Sequence, residues 1–222
     1  MPKLRRITFD LGLLIIIPLL GKLYTRLNVP VNNISILMTG IDKNIPFLKI
    51  FIIPYVIWYF YRVIFFIYLA FKDRETYYKT LLTYTLGILI CYLIYSIYQT
   101  TVPRPSLAGR DLLTNMVRLI YQKDNPYNCF PSIHSFTSFL MIKAILNSNI
   151  KNKFNSSFVI VLSTSIILST LFVKQHFIVD AISAILLANL LFDFVNKYLF
   201  NILSPTLSKF FVFMKLDKNI EN

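Results

Sequence analysis

Apolar residues collect in six runs separated by short polar stretches, over residues 7–22, 51–71, 77–98, 132–146, 157–173 and 177–200. A helix needs about 20 apolar residues to cross a hydrocarbon core of about 30 Å. The pattern therefore predicts an all-α, polytopic membrane protein, a bundle of about six transmembrane helices. The first run is short, carries Asp10 and follows Lys3, Arg5 and Arg6, an arrangement shared with signal peptides. No small-residue cleavage site follows Leu20-Gly21-Lys22-Leu23, so it reads as an uncleaved anchor. Residues 99–130 form the one long connection. Within it Asp111 stands where a helix cap is needed, and Leu112, Leu113, Met116, Val117 and Ile120 recur on one helical face. That spacing predicts a helix lying in the membrane interface. No repeat or second domain is visible, which leaves one transmembrane domain over 1–203 and a polar cytoplasmic tail over 204–222.

Composition agrees with this picture: 56% of the 222 residues are apolar and 16% aromatic, beyond the usual range of a soluble domain. The formal charge of +13 raises the question of nucleic acid. The cations are scattered through the connections and form no continuous stripe, so headgroup attraction and cytoplasmic-side charge explain them better, and no nucleic-acid partner is expected. With the N-terminus cytoplasmic, the inner side holds Lys3, Arg5, Arg6, Lys72, Arg74, Lys79, Lys151, Lys153, Lys197, Lys209, Lys215 and Lys218, a modest excess over the nine cations of the outer side. Cys91 and Cys129 sit in different surroundings, and no Cys/His spacing suggests zinc. Trp58 and the many tyrosines suit an aromatic belt, and Asp193 with Lys197, four apart, suits a helical ion pair.

Three polar islands interrupt the apolar pattern: Arg104-Pro105, Pro131-Ser132-Ile133-His134, and Lys174-Gln175-His176-Phe177-Ile178-Val179-Asp180. The chain's only two histidines fall inside them. Counting spans puts all three on one side of the membrane. His176 and Asp180, four apart in a helix starting near Lys174, would share a helical face. The carboxylate would orient the imidazole for attack on phosphorus and offset the charge it acquires. His134, at a helix mouth whose free N–H groups attract phosphate oxygens, would protonate a leaving group. Arg104, between two prolines, and Lys174 would clamp the phosphoryl oxygens, with Ser132 as a further ligand or cap. Each motif alone occurs by chance, and a lone histidine at a membrane end is more often packing than chemistry. Their order and shared side favour a phosphate-handling site. Asn128, Lys123, Arg110 and Arg118 read as loop and headgroup-facing polarity.

In these motifs the chain resembles the type 2 phosphatidic acid phosphatase superfamily of membrane lipid phosphatases, over roughly residues 80–190. That family carries Lys, six residues, Arg-Pro; then Pro-Ser-Gly-His; then Ser-Arg, five residues, His, three residues, Asp. The matching positions are Arg104-Pro105, Pro131-Ser132-x-His134, and Ser169 with His176-x-x-x-Asp180. The resemblance implies a helical bundle with its site on the outer or lumenal face. It also implies His176 as a nucleophile forming a phosphohistidine, Asp180 as its partner, His134 as general acid, and Arg104 and Ser132 as phosphate ligands, with no metal or other cofactor. Three positions depart from the pattern: Ile97 stands for Lys, Ile133 for Gly and Thr170 for Arg. Lys174 reads as a replacement cation, as in a branch that includes inositol phosphorylceramide synthase-like transferases. The expectation is a multi-pass enzyme hydrolysing a membrane lipid phosphomonoester or diphosphate. Phosphotransfer between lipids and non-catalytic binding of anionic headgroups are the alternatives.

Overall fold

The first apolar run forms one continuous span: α1 (Pro2–Gly12) passes through a single 3₁₀ turn, Leu13–Ile15, into α2 (Ile16–Leu27). The computed structural model describes residues 2–31 and 33–213. A short helix, α3 (Gly40–Asn44), precedes α4 (Ile52–Lys72) and α5 (Arg74–Ile97), which are separated by Asp73 alone. Then follow α6 (Leu112–Lys123), α7 (Ile133–Leu146), α8 (Lys153–Phe172), α9 (Ile178–Phe194) and, after a π-helical turn, α10 (Phe200–Phe213). Among the described residues, five helical stretches are long and apolar enough to cross a membrane: Leu4–Leu27, Lys49–Lys72, Arg74–Ile97, Lys153–Phe172 and Ile178–Thr206.

The sixth predicted span, α7, is shorter. Its 14 residues rise only about 21 Å, less than a hydrocarbon core. It lies at the centre of the bundle instead, enclosed by α4, α5, α8 and α9. Phe136, Leu140, Met141, Ala144 and Ile145 are buried there, and so are Ser135, Thr137 and Ser138. A helix walled by protein has no bilayer thickness to match, and its hydroxyls can bond within the bundle. Thr137 Oγ1 accepts the Trp58 indole N–H at 2.6 Å and donates to the Ile133 carbonyl at 2.9 Å. Gly87 of α5 makes the close approach possible, since a Cβ there would fall 1.9 Å from the Phe136 ring.

At one end of the bundle the connections are short and the charges paired. Asp73 caps α5 through Thr76 N–H and also accepts the Asn149 N–H from the α7–α8 turn. Lys143 of α7 pairs with Asp193 of α9 at 2.8 Å, which corrects the expected Asp193–Lys197 pair: the neighbouring helix supplies the cation.

At the other end the connections after α2, α5 and α8 interlock. Asn28 donates to the Asp124 carboxylate and to the Asn125 carbonyl, both at 2.8 Å. Gln99 donates to the Val29 carbonyl and accepts the Val31 N–H. Isolated parallel bridges join Ser35 to Thr100 and Thr100 to Asn128. Asp111 caps α6 by accepting Thr114 N–H, as the sequence predicts. Leu113, Met116, Val117 and Ile120 pack with Ile52, Tyr55 and Val173, whereas Leu112 is turned outward. At the C-terminus the helix continues through Pro205 to Phe213, and residues 214–222 of the predicted tail lie outside the described residues.

Candidate active site

The end of α8 sets the position of His176. Lys174 adopts a left-handed conformation, φ +52°. Its N–H bonds to the Leu171 carbonyl and the next N–H, of Gln175, to the Thr170 carbonyl. This is the Schellman arrangement, which satisfies carbonyls that a helix end leaves unpaired. The His176 N–H also bonds to Thr170 at 3.1 Å, so the chain turns sharply and α9 begins only at Ile178. His176 therefore lies in the junction before the helix, not on its first turn as the four-residue spacing predicted.

Both following N–H groups are taken by carboxylates. Asp180 Oδ2 accepts Phe177 N–H at 2.8 Å, and Asp42 Oδ1 accepts Ile178 N–H at 2.9 Å. Asp42 is held in turn by Thr39 in a reciprocal cap at the start of α3. The Thr39-Gly40-Ile41-Asp42 spacing carried that signal in the sequence.

The imidazole of His176 is held by two acceptors. Nδ1 lies 2.9 Å from the Cys129 carbonyl and 3.5 Å from Asp180 Oδ2. A carbonyl only accepts, so the proton sits on Nδ1 and the lone pair on Nε2. The carbonyl, more than the carboxylate, fixes the tautomer. Asp180 is fully buried, with Oδ2 toward the ring and Oδ1 without a hydrogen-bond partner. The second island docks directly on the third, because the Ser132 N–H donates to the Asp180 carbonyl at 3.1 Å. Ser132 Oγ caps α7 through Ser135 N–H, and the Tyr95 hydroxyl donates to the Pro131 carbonyl.

His134 follows in the first turn of α7. Its ring lies 5.9 Å from that of His176, centre to centre, and is walled by Tyr55 at 4.5 Å and Trp58 at 4.0 Å. Its Nε2 has no hydrogen-bond partner. Both histidines line a cavity of about 480 Å³ bounded by α2, α4, α5 and α6. The cavity wall corrects the aromatic-belt expectation for Trp58, which is buried against His134. It also draws in Lys123 and Asn128, read above as loop polarity, and Asp124 and Arg62, to which the sequence assigned no role. Arg62 had a signal: it is a charge at the centre of an apolar run. Asp124 Oδ1 accepts from Tyr24 Oη and Asn28 Nδ2, and burial under α6 holds its carboxyl above the usual range against these donors and Arg104.

Two predicted cations lie elsewhere. Arg104 donates to the carbonyls of Tyr121 and Asp124 and to Gln175 Oε1, and stacks over Tyr121 at 4.4 Å. It ties the end of α6 to the residue preceding His176. The Lys174 ammonium bonds to the carbonyls of Asp42 and Ile45 at the end of α3, and neither residue lines the cavity. Thr170, where the family motif has Arg, is fully buried, with its carbonyl committed to the α8 cap. Ile97, where the motif has Lys, points outward.

The family model described as "PAP2 superfamily" matches residues 76–203, which covers every one of these motifs. The chain belongs to the PAP2 superfamily. No curated protein and no solved structure matches it. Members of the PAP2 superfamily are phosphatases and phosphotransferases acting on phosphate esters. In this member the superfamily's two histidines share one cavity, while the motif cations are absent or engaged by backbone carbonyls.

Proposed function

We propose that the protein is an integral membrane lipid phosphatase that works through a phosphohistidine on His176. The observation that carries this reading is the Nδ1 contact to Cys129, because it leaves Nε2 of a cavity-lining histidine with a free lone pair beside a second histidine. Nε2 attacks phosphorus, and the ring becomes cationic with Asp180 3.5 Å from Nδ1 to offset the charge. His134 donates a proton to an alkoxide leaving group, then accepts one from the water that cleaves the N–P bond. The start of α7, where Ile133 and His134 line the cavity and Ser132 Oγ caps the helix, would meet the transferred oxygens. The apolar remainder of the cavity wall, including Phe60, Ile88 and Ile133, suits a lipid tail. No step calls on a metal. Six membrane passes with both termini cytoplasmic would put this end on the extracytoplasmic or lumenal face. The deciding experiment gives purified protein a panel of lipid phosphates in excess EDTA and follows released phosphate and newly formed phospholipid together. Phosphate release with label trapped on His176 supports the reading. Turnover lost to chelation and restored by Mg²⁺ overturns it, and label passing only to a second lipid makes the enzyme a transferase.

A further inference from the structure

Arg62 stands midway along α4 (Ile52–Lys72), about 15 Å of helix from either end. A charge at that depth is costly unless something answers it. Nothing acidic does: Arg62 forms no ion pair among the described residues, its Nε is buried without a partner, and one Nη reaches only the Tyr84 hydroxyl, at 3.5 Å. Its guanidinium lies over the Trp58 ring at 4.4 Å, and the same indole lies 4.0 Å from the His134 ring. One indole thus separates the unanswered cation from the general-acid histidine. Tyr55, Trp58, Tyr59 and Arg62 follow at helical spacing on the face of α4 that meets His134, with Arg62 the deepest. The acidic residue of the cavity wall, Asp124, is occupied by Tyr24 and Asn28.

A lipid whose terminal phosphorus meets His176 must run inward along this wall toward its tail. The first group it would bring past Trp58 is the one joining the reacting phosphoryl to the tail. We propose that Arg62 is the subsite for a second phosphate at that position, so that the site selects lipid diphosphates over lipid monophosphates. The proposal rests on the phosphatase reading and names its substrate class. In the first step the bond from His176 Nε2 to the terminal phosphorus forms and the bond to the bridging oxygen breaks. The electron pair stays on the departing lipid monophosphate, whose charge Arg62 holds. Water then cleaves the N–P bond, yielding inorganic phosphate and a neutral imidazole.

Binding separates this proposal from the chemistry. In a His176→Ala background, which cannot form the phosphoenzyme, fluorescence of Trp58, the chain's single tryptophan, is titrated with farnesyl diphosphate and with farnesyl monophosphate in detergent micelles. With Arg62 present, the diphosphate should bind at least about 10-fold tighter, as expected for one added charge-assisted contact. Arg62→Gln should cut that preference to below about 3-fold by weakening only the diphosphate, and Arg62→Lys should retain part of it. Equal affinities with Arg62 present, no binding of either lipid, or an equal loss for both lipids in Arg62→Gln overturns the proposal. The first two outcomes need no variant at Arg62 and stand even if Arg62→Gln fails to fold. A phosphatase reading that fails would show itself separately, as absence of label on His176 in the parent enzyme.

Discussion

Arg62 and Arg74 are both largely enclosed, on neighbouring helices, yet they live under opposite conditions. Arg74, at the start of α5, meets Asp10 with both arms of its fork, Nε to Oδ2 at 2.8 Å and Nη2 to Oδ1 at 3.1 Å. The Tyr78 hydroxyl donates to the same carboxylate and the Tyr77 hydroxyl to the Asp10 carbonyl. Arg62 has an aromatic face and one weak hydroxyl contact. A buried charge whose partner is supplied by the fold is part of the architecture. One left unanswered at the wall of a cavity is arranged for something that arrives. The same division runs through the molecule. Lys143–Asp193 and Lys79–Glu75 are closed pairs at the Arg74 end, whereas the cavity end holds Arg62, two histidines and an Asp180 oxygen with no partner.

The largest effect that would break or uphold this contrast is at His176. His176→Ala should abolish phosphate release and labelling of the protein while costing far less in thermal unfolding, because the ring's contacts are confined to the Cys129 carbonyl, Asp180 and the His134 ring. His134→Ala should cost about 10²–10⁴-fold on substrates with alkoxide leaving groups and much less on an activated phenyl ester, the pattern of a lost general acid. Steady-state turnover on paired substrates checks both. If the losses were equal across leaving groups, His134 would be a packing residue.

At the opposite end the expected loss is in stability. Asp10→Asn strands Arg74 and should destabilise the fold by about 3–5 kcal/mol, the usual cost of breaking one side of a buried pair. Thermal unfolding in detergent would register it, while turnover per folded molecule should hold. The double variant Asp10→Leu with Arg74→Met should recover most of the loss, since no buried charge is then left alone. A selective collapse of turnover in a stably folded Asp10→Asn would erase the division between the two ends.

Much of this arrangement was legible in the sequence. The apolar runs gave the helices, because a bilayer demands helices of known length and satisfied backbone. The spacing of the islands gave the two histidines and Asp180, since span counting alone gathers residues 104, 134 and 176 at one end. What escaped depends on tertiary partners. Nothing local says that Lys174 will take a left-handed conformation usually reserved for Gly or Asn, so the expected helix start near Lys174 falls four residues before the observed one at Ile178 and wrongly includes His176. Nothing local says that Arg104 will bond to carbonyls of α6, or that Lys174 will reach the end of α3 132 residues before it in one contact. Arg62 was visible as an intramembrane charge, and only the cavity gives it a context.

Lys174 tests that lesson at a smaller scale. With its ammonium on the carbonyls of Asp42 and Ile45, Lys174→Met should cost about 1–2 kcal/mol of stability, as for hydrogen bonds to a charged group that is partly exposed. Lys174→Gly loses the same bonds but removes the left-handed penalty, about 1 kcal/mol, and should be the more stable of the two. Unfolding midpoints of the pair decide it. A Met variant that keeps its stability but loses turnover would return Lys174 to the phosphate.

The smallest effect expected is at Asp124, and it sharpens the contrast between an acid paired by charge and one paired by neutral donors. Asp10 has Arg74; Asp124 has Tyr24 and Asn28, and burial raises its carboxyl above the usual range despite them and Arg104. A carboxyl raised in the folded state holds its proton to higher pH than the unfolded chain does, where it titrates near about 4. Between that pH and the raised folded value the folded state binds more protons, so stability falls as pH rises through this window and is level on either side. Asp124→Asn keeps an oxygen for Tyr24 and removes the titration. The stability of the variant relative to the parent should therefore climb across the window and then stay constant. Thermal unfolding at steps from pH 4 to 8 measures it. A relative stability that moved the other way would mean that Arg104, whose guanidinium already donates to the Asp124 carbonyl, outweighs burial and that the cavity end holds one charge pair after all.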